Sequence, residues 1–220
     1  MSGHRYSVTI CLLLALITGG CVSRPAGPAG GLEYNGPSEQ TVQRGQKLPG
    51  TDIQFVGQSA DGAQVLIGGQ SAMKKTGDSL NWSGTPVPGA HVALALRILN
   101  SSDQRLITAG TVRITLDGVS PAETAFPDKP LYTYKTLPVV YHIGKGSTIP
   151  GTTLIYEGKT NDGAHLIGVN GYAYFRLGDS VTWHGRLRPG VYADQSLRVL
   201  AYTDSFLDVT GLATIGLTEE

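Results

Sequence analysis

The chain has 220 residues, in which 17 Lys and Arg balance 17 Asp and Glu. Charged residues make up only 15% of the sequence, whereas a 40% share of hydrophobic residues is ordinary for a folded protein. The balance of charge argues against a nucleic-acid-binding protein, since such a protein needs a basic surface to neutralise phosphates. It argues equally against a protein that holds to a membrane surface through a polybasic patch.

The first 20 residues have the organisation of a secretory signal peptide. Arg5 supplies a positive charge, and the apolar run at residues 8–17 is shorter than the about 20 residues that span a bilayer. The sequence Gly-Gly-Cys at residues 19–21 resembles the lipobox of bacterial lipoproteins, although Thr18 stands where that family usually has Leu. The resemblance implies cleavage before Cys21, acylation of this cysteine, and a bacterial protein exported to the cell envelope.

Cysteine usage agrees with a lipid-anchored mature chain. Cys11 lies inside the apolar run, so the mature chain would keep Cys21 alone, and a single cysteine forms no internal disulfide. We therefore predict that Cys21 attaches the protein to a membrane through a lipid. Residues 21–40 are rich in Pro, Gly and Ser and show no apolar periodicity, which predicts a flexible tether.

The remainder of the chain contains an internal repeat. A shift of 101 residues places residues 48–116 on residues 149–217 without a gap. The matched pairs include Gly57/Gly158, Asp61/Asp162, Asp78/Asp179, Trp82/Trp183, Gly84/Gly185, Leu96/Leu197, Asp103/Asp204 and Gly110/Gly211. A match of this density predicts one module present twice, at residues 41–116 and 142–217, with a linker at 117–141.

Both copies show the pattern of β-strands. Val92, Leu94 and Leu96 alternate with polar or small residues, and the equivalent positions of the second copy alternate in the same phase. Turn sequences such as Asp61-Gly62 separate these runs, and no window has a helical period. We predict an all-β protein with two tandem copies of a small antiparallel β-meander, each a sandwich or barrel, and leave open whether they share one sandwich. Pro138 would confine any strand at 131–141 to a sheet edge.

The sequence contains no recognisable catalytic or metal-binding constellation. The shared aspartates fall in turns, where Asp caps local backbone N–H groups, and no histidine is shared between the copies. Zinc, calcium, nucleophile-elbow and phosphate-loop motifs are all missing from the sequence. We therefore predict no enzymatic activity, no cofactor and no metal. Trp82 and Trp183 fall on the apolar face of their strands, which favours a role in the core over sugar binding.

The copies differ most in aromatic residues, which are concentrated in the second copy. Tyr172 and Tyr174 replace Ser71 and Met73, and several cationic residues are nearby in sequence. Exposed aromatic rings beside arginines are typical of recognition surfaces. The candidate binding residues are Tyr172, Tyr174, Arg176, His184, Arg186 and Arg188. The alternative is that the rings fill an interface between the two copies.

Three functions remain open from the sequence. The first is a non-enzymatic, lipid-anchored envelope protein that binds an envelope polysaccharide or a protein partner. The second is a carbohydrate-active or hydrolytic enzyme with a site between the modules, which would need paired carboxylates such as Glu157 and Asp194 to meet. The third is a structural subunit of an envelope assembly, with a partner chain completing strand edges at 131–141.

Overall fold

The computed structural model describes residues 31–219, which form an all-β protein, as predicted. The predicted signal peptide, the lipobox and Cys21 lie outside the described residues. In the first half the strands are β1 (Leu32–Gln43), β2 (Gln54–Ser59), β3 (Gly62–Ile67), β4 (Gln70–Lys74), β5 (Ser79–Val87), β6 (Ala90–Ser101) and β7 (Arg105–Leu116). In the second half they are β8 (Ala122–Glu123), β9 (Tyr132–Gly144), β10 (Ile155–Lys159), β11 (Ala164–Ile167), β12 (Tyr174–Phe175), β13 (Ser180–Arg188), β14 (Val191–Tyr202) and β15 (Phe206–Leu217).

Each half contains one large and one small antiparallel sheet. The first half has a four-stranded sheet in the order β1-β7-β6-β5 and a three-stranded sheet in the order β2-β3-β4. The second half has a five-stranded sheet in the order β8-β13-β14-β15-β9 and a three-stranded sheet in the order β10-β11-β12. The described residues include no helix long and apolar enough to cross a membrane.

The apolar faces of the sheets form the core, as the alternation predicts. On β6 every second side chain from Ala90 to Ile98 is buried, and β14 follows the same pattern from Val191 to Val199. The small sheets contribute buried residues such as Phe55 and Tyr156. Buried side chains of both halves belong to one continuous apolar cluster, so the halves pack against each other.

Strand β1 corrects the prediction of a tether that extends to residue 40. Residues 32–43 pair with β7 along their whole length, beginning with Leu32 opposite Leu116. Tyr34, Ser38 and Val42 are the buried side chains of this strand, so only every fourth residue enters the core. This spacing is too sparse to show the strict alternation by which a strand is recognised in a sequence.

Strand β9 lies at the edge of its sheet, where Pro138 is tolerated because no partner strand needs its missing N–H. Strand β1 packs against β9 at Gly36. A Cβ atom on Gly36 would lie 2.8 Å from Cδ2 of Leu137 and 3.1 Å from Cδ of Pro138. The strand edge that the third hypothesis offered to a partner chain is therefore packed against the protein's own first half.

Two tyrosines make reciprocal contacts between the halves. Tyr34 of β1 directs its hydroxyl at Gly151 in the second half, where a Cβ would lie 2.6 Å from it. Tyr134 of β9 directs its hydroxyl at Gly50 in the first half, where a Cβ would lie 3.0 Å from it. Gly50 and Gly151 are equivalent in the repeat, and both have a positive φ. Glycine is thus required twice over, by the conformation and by the tyrosine.

The two tyrosines differ in their hydrogen bonding. The Nε2 group of Gln195, a fully buried residue, donates to the Tyr34 hydroxyl at 3.2 Å. Leu94 occupies the equivalent position of the first half, and the buried Tyr134 hydroxyl has no hydrogen-bond partner among the described residues. Burial raises the pKa of Tyr34 well above its usual range, and raises the pKa of Tyr134 to about 12.

This difference predicts opposite outcomes for two matched substitutions. Tyr34→Phe should lower the free energy of unfolding by about 1 kcal/mol, because it removes one hydrogen bond of the buried Gln195 amide, which keeps the Pro150 and Gly151 carbonyls as acceptors. Tyr134→Phe should leave stability at neutral pH unchanged or slightly raised, because it removes a buried hydroxyl that lacks a partner. Denaturant titration of both variants measures the two values.

The two tyrosines should also make the stability of the protein depend on pH in alkaline solution. A raised pKa means that the folded state holds its proton more tightly, so stability falls as the pH rises from about 10 towards 12. Tyr134→Phe removes one such group and should extend the stable range to higher pH. Equal losses of stability for Tyr34→Phe and Tyr134→Phe at neutral pH would contradict the asymmetry described above.

Candidate functional site

A cleft of about 340 Å³ opens in the second half beside the edge of β13. The loop between β11 and β12 forms one wall, and the linker strand β8 contributes to another. The residues that surround the cleft are Glu123, Leu154, Gly168, Val169, Asn170, Tyr172, Phe175, Ser180, Val181, Thr182, Trp183 and His184. Aromatic and polar side chains therefore share one concave surface.

The linker supplies the acidic side of the cleft. Strand β8 pairs with β13, so that Glu123 lies opposite Gly185 and Ala122 lies opposite Arg186. The Asn170 amide Nδ2 donates to Glu123 Oε1 at 2.6 Å and joins the β11–β12 loop to the linker. Both side chains are exposed and keep further hydrogen-bonding positions available to a ligand.

Aromatic rings form and support another part of the cleft. Tyr172 is 67% exposed, and its ring meets Tyr174 edge-on with the centroids 5.6 Å apart. Tyr174 in turn stacks on His165, with 4.9 Å between the ring centroids. Tyr174 and His165 face each other because β11 and β12 pair at this position. Tyr172 thus presents an accessible ring that rests on a second one.

The base of the cleft includes Trp183, whose burial confirms its predicted place in the core. Its ring lies over Gly185, where a Cβ atom would come within 2.6 Å of the indole. The indole N–H donates to Thr153 Oγ1 at 3.0 Å, which satisfies the polar atom of this buried side chain. A rigid and hydrogen-bonded base keeps the exposed rim residues in place.

The structure brings together only some of the predicted binding residues. Tyr172 and His184 line the cleft, and Tyr174 supports Tyr172 from behind. Arg176 and Arg186 are exposed but do not line it. Neither ring contact of Tyr172 and Tyr174 involves the first half.

Arg188 requires a correction, because it is engaged within the fold. Its Nη1 donates to the backbone carbonyl of Gly89 at 3.2 Å and also to that of Asp117. These bonds connect the second half to the first half and to the start of the linker. Arg188 follows the other candidates in sequence, but its side chain turns towards the first half.

Sequence reasoning missed Glu123 and Asn170. Glu123 lies in the first part of the linker, where the sequence predicts no strand, and Asn170 has Gly69 as its equivalent in the first copy. The available signal was the difference between the copies, since Asn170, Tyr172 and His184 replace Gly69, Ser71 and Ser83. The cleft therefore combines residues peculiar to the second copy with a linker residue and with residues that both copies share, such as Trp183.

The arrangement is suited to hydrogen bonding and ring stacking. The cleft contains one carboxylate, on Glu123, and the acids that the enzyme hypothesis would pair lie apart: Glu157 on β10 and Asp194 on β14 belong to different sheets. Among residues 31–219, no group of three or more His, Cys, Asp or Glu could hold a metal ion. Asp78 and Asp179 act as predicted in their turns, accepting from the backbone N–H of Lys75 and Arg176.

Comparison of the chain with protein-family models, with curated proteins and with solved structures gave no significant match.

Proposed function

We propose that the protein is an exported, lipid-anchored protein of the bacterial cell envelope, and that it acts as a non-enzymatic binding unit through the cleft of its second half. The signal peptide, the lipobox-like Gly-Gly-Cys and the lone Cys21 of the mature chain support the location. The cleft beside Tyr172 supports the binding role and carries the proposal.

An envelope polysaccharide is the ligand class that suits this cleft. A sugar ring presents an apolar face that can lie on an aromatic ring, and Tyr172 offers such a ring at the rim. The hydroxyl groups of a sugar both donate and accept hydrogen bonds. The Glu123–Asn170 pair supplies an acceptor and a donor side by side. The cleft volume of about 340 Å³ suits one or two sugar residues of a longer polysaccharide chain.

Tyr172→Ala should weaken polysaccharide binding about ten-fold, which corresponds to the loss of an aromatic contact worth about 1.4 kcal/mol. Titration of the purified protein with a panel of soluble envelope polysaccharides measures the loss. Folding should be unaffected, since 67% of the Tyr172 side chain is exposed.

Ser71→Ala provides the matched control, because Ser71 is the equivalent of Tyr172 in the first half. It should bind as the unsubstituted protein does. Equal affinity of Tyr172→Ala and Ser71→Ala for a polysaccharide that the protein binds would move the site away from the cleft.

Cys21→Ser tests the location separately from the binding. The serine hydroxyl cannot take the thioether-linked lipid, so the variant should leave the membrane fraction of the producing bacterium and lose incorporation of labelled fatty acid. Cys11→Ser is the control, because Cys11 lies within the segment that is removed. The lipid anchor would be ruled out if Cys21→Ser stayed in the membrane fraction and neither this variant nor the unsubstituted protein took up labelled fatty acid.

A further inference from the structure

The outer edge of strand β5 differs from its counterpart in the second half. Strand β5 is the last strand of the four-stranded sheet, and no described strand pairs with its outer side. The equivalent strand β13 carries β8 on that side. The repeat thus shows the same edge in two states, covered in the second half and open in the first.

The covered edge shows how a strand is received. Ala122 lies opposite Arg186, Glu123 lies opposite Gly185, and the Ser120 N–H donates to the Leu187 carbonyl at 2.8 Å. The equivalents of Arg186, Gly185 and Leu187 in β5 are Thr85, Gly84 and Pro86. Pro86 lacks an N–H, but the corresponding contact in the second half uses only the carbonyl of Leu187. Pro86 thus keeps the carbonyl that corresponds to that of Leu187, and Thr85 and Gly84 keep both their N–H and their carbonyl groups.

The two equivalent tryptophans differ in solvent exposure, in parallel with the covering of their strands. Trp183 is 3% exposed, whereas Trp82 on β5 is only partly buried. Both lie over a glycine two residues further along, and a Cβ on Gly84 would come within 2.4 Å of the Trp82 ring. Trp183 also bonds to Thr153, where the first half has Asp52. A Cβ on Gly185 would lie 2.4 Å from the Ala122 carbonyl oxygen of β8, so the strand that covers β13 contributes to the burial of Trp183, and β5 lacks this neighbour.

Strand β5 contains Pro86 and a bulge between Gly84 and Val87, but it lacks the charged side chains that protect many edge strands. Exposed edges are commonly blunted by charged side chains, which discourage further pairing. Ser79–Val87 contains no charged residue, and the outward Ser79, Asn81 and Ser83 are small or polar. By contrast, the edge strand β4 of the small sheet ends in Lys74 and is followed by Lys75.

We propose that the edge of β5 binds an extended segment of a protein partner, which adds as an antiparallel strand in the way that β8 adds to β13. The segment contains small residues, as Ser120, Pro121 and Ala122 are in the strand region that covers β13. This surface lies in the first half and is separate from the polysaccharide cleft, so its test does not depend on the proposed ligand.

A synthetic peptide with the sequence of residues 118–125 serves as the probe, because it contains the segment that covers the equivalent edge in the second half. Backbone amide signals of the isotope-labelled full chain report where the peptide binds. We expect saturable shifts confined to β5 and its neighbours, with a Kd on the order of 1 mM for so short a strand. Amide exchange of the outward N–H groups of β5 should slow in parallel.

Ser83→Pro should weaken this binding at least about ten-fold, because proline removes an N–H from an edge where its ring is otherwise tolerated. Ser71→Pro, on the charged edge of β4, is the matched control and should bind as the unsubstituted chain does. Tyr172→Ala should also leave peptide binding unchanged, which separates this surface from the cleft.

The mapping on the unsubstituted chain decides the proposal even if Ser83→Pro fails to fold. Shifts confined to β4 or β13, or no shifts at about 10 mM peptide, would overturn it. The protein could instead self-associate through β5. A molecular mass that rises with protein concentration, together with loss of peptide binding in the associated form, would identify a second copy as the partner and would equally overturn the proposal.

Discussion

Gly211→Ala is expected to lower the free energy of unfolding by about 3 kcal/mol or more, a large effect for the addition of one methyl group. Gly211 lies on β15 opposite Leu197 of β14. A Cβ atom at this position would come within 2.0 Å of the Ser196 carbonyl oxygen and 2.8 Å of the Leu197 Cα. These are backbone atoms of a central strand, so relief requires the sheet itself to move. Denaturant titration followed by circular dichroism measures the loss.

Gly144→Ala is the matched control for this substitution. Gly144 also lies in a β-strand and has no positive φ, but its Cβ would meet nothing closer than Ser147 Oγ at 3.7 Å. Stability should therefore change little or rise slightly, since alanine restricts the unfolded chain more than glycine does. Gly110→Ala, at the position equivalent to Gly211, should cost as much as Gly211→Ala, because its Cβ would lie 2.0 Å from the Ala95 carbonyl oxygen. Similar stabilities for all three variants would refute the steric explanation.

Trp183→Ala is expected to cost about 3–5 kcal/mol, the range for removal of a buried aromatic side chain. The substitution empties the space over Gly185 and leaves Thr153 Oγ1 without the indole N–H that now bonds to it at 3.0 Å. Trp82→Ala removes the equivalent ring from the first half. It should cost only about 2 kcal/mol, because Trp82 is already partly exposed to water.

Fluorescence distinguishes the two tryptophans before any stability is measured. With Trp82 replaced by phenylalanine, the remaining Trp183 should emit at a shorter wavelength than Trp82 does in the Trp183→Phe variant, because Trp183 is shielded from water. Equal emission maxima and equal losses of stability for the two alanine variants would show that both rings are covered alike, which would also remove a premise of the β5 proposal.

The alternation of apolar side chains was sufficient to predict the long central strands. Residues 92–98 and their equivalents lie in β6 and β14 with the predicted phase, because both strands bury one face and expose the other. Strand β1 escaped prediction because its glycine and proline content resembles a tether. What stabilises β1 is pairing with β7, more than 60 residues further along the chain, together with the burial of Tyr34. Neither contact leaves a local signal in the sequence.

The candidate site could be predicted only in part. The difference between the copies identified Tyr172 and His184, both of which line the cleft. Glu123 reaches the cleft because the linker pairs with β13, a contact between segments about 60 residues apart that no local pattern announces. Arg188 was misplaced for the complementary reason, since its partners are backbone carbonyls of the first half and the linker. Composition identifies residue types suited to binding, whereas the fold decides which of them face solvent together.

The reciprocal tyrosine contacts follow the pattern found between identical subunits of a symmetric dimer, in which a residue of each subunit contacts the same partner in the other. In such a dimer every substitution would appear on both sides of the axis at once. Here the two sides are encoded at separate positions of one chain, so Gln195 can bond to Tyr34 while Leu94 occupies the equivalent place beside Tyr134. Because the two positions can be substituted independently, Tyr172 lines a cleft in the second half, whereas the equivalent Ser71 provides no aromatic ring in the first half. A single chain can thus keep similar packing contacts in its two halves while only one half acquires a functional site.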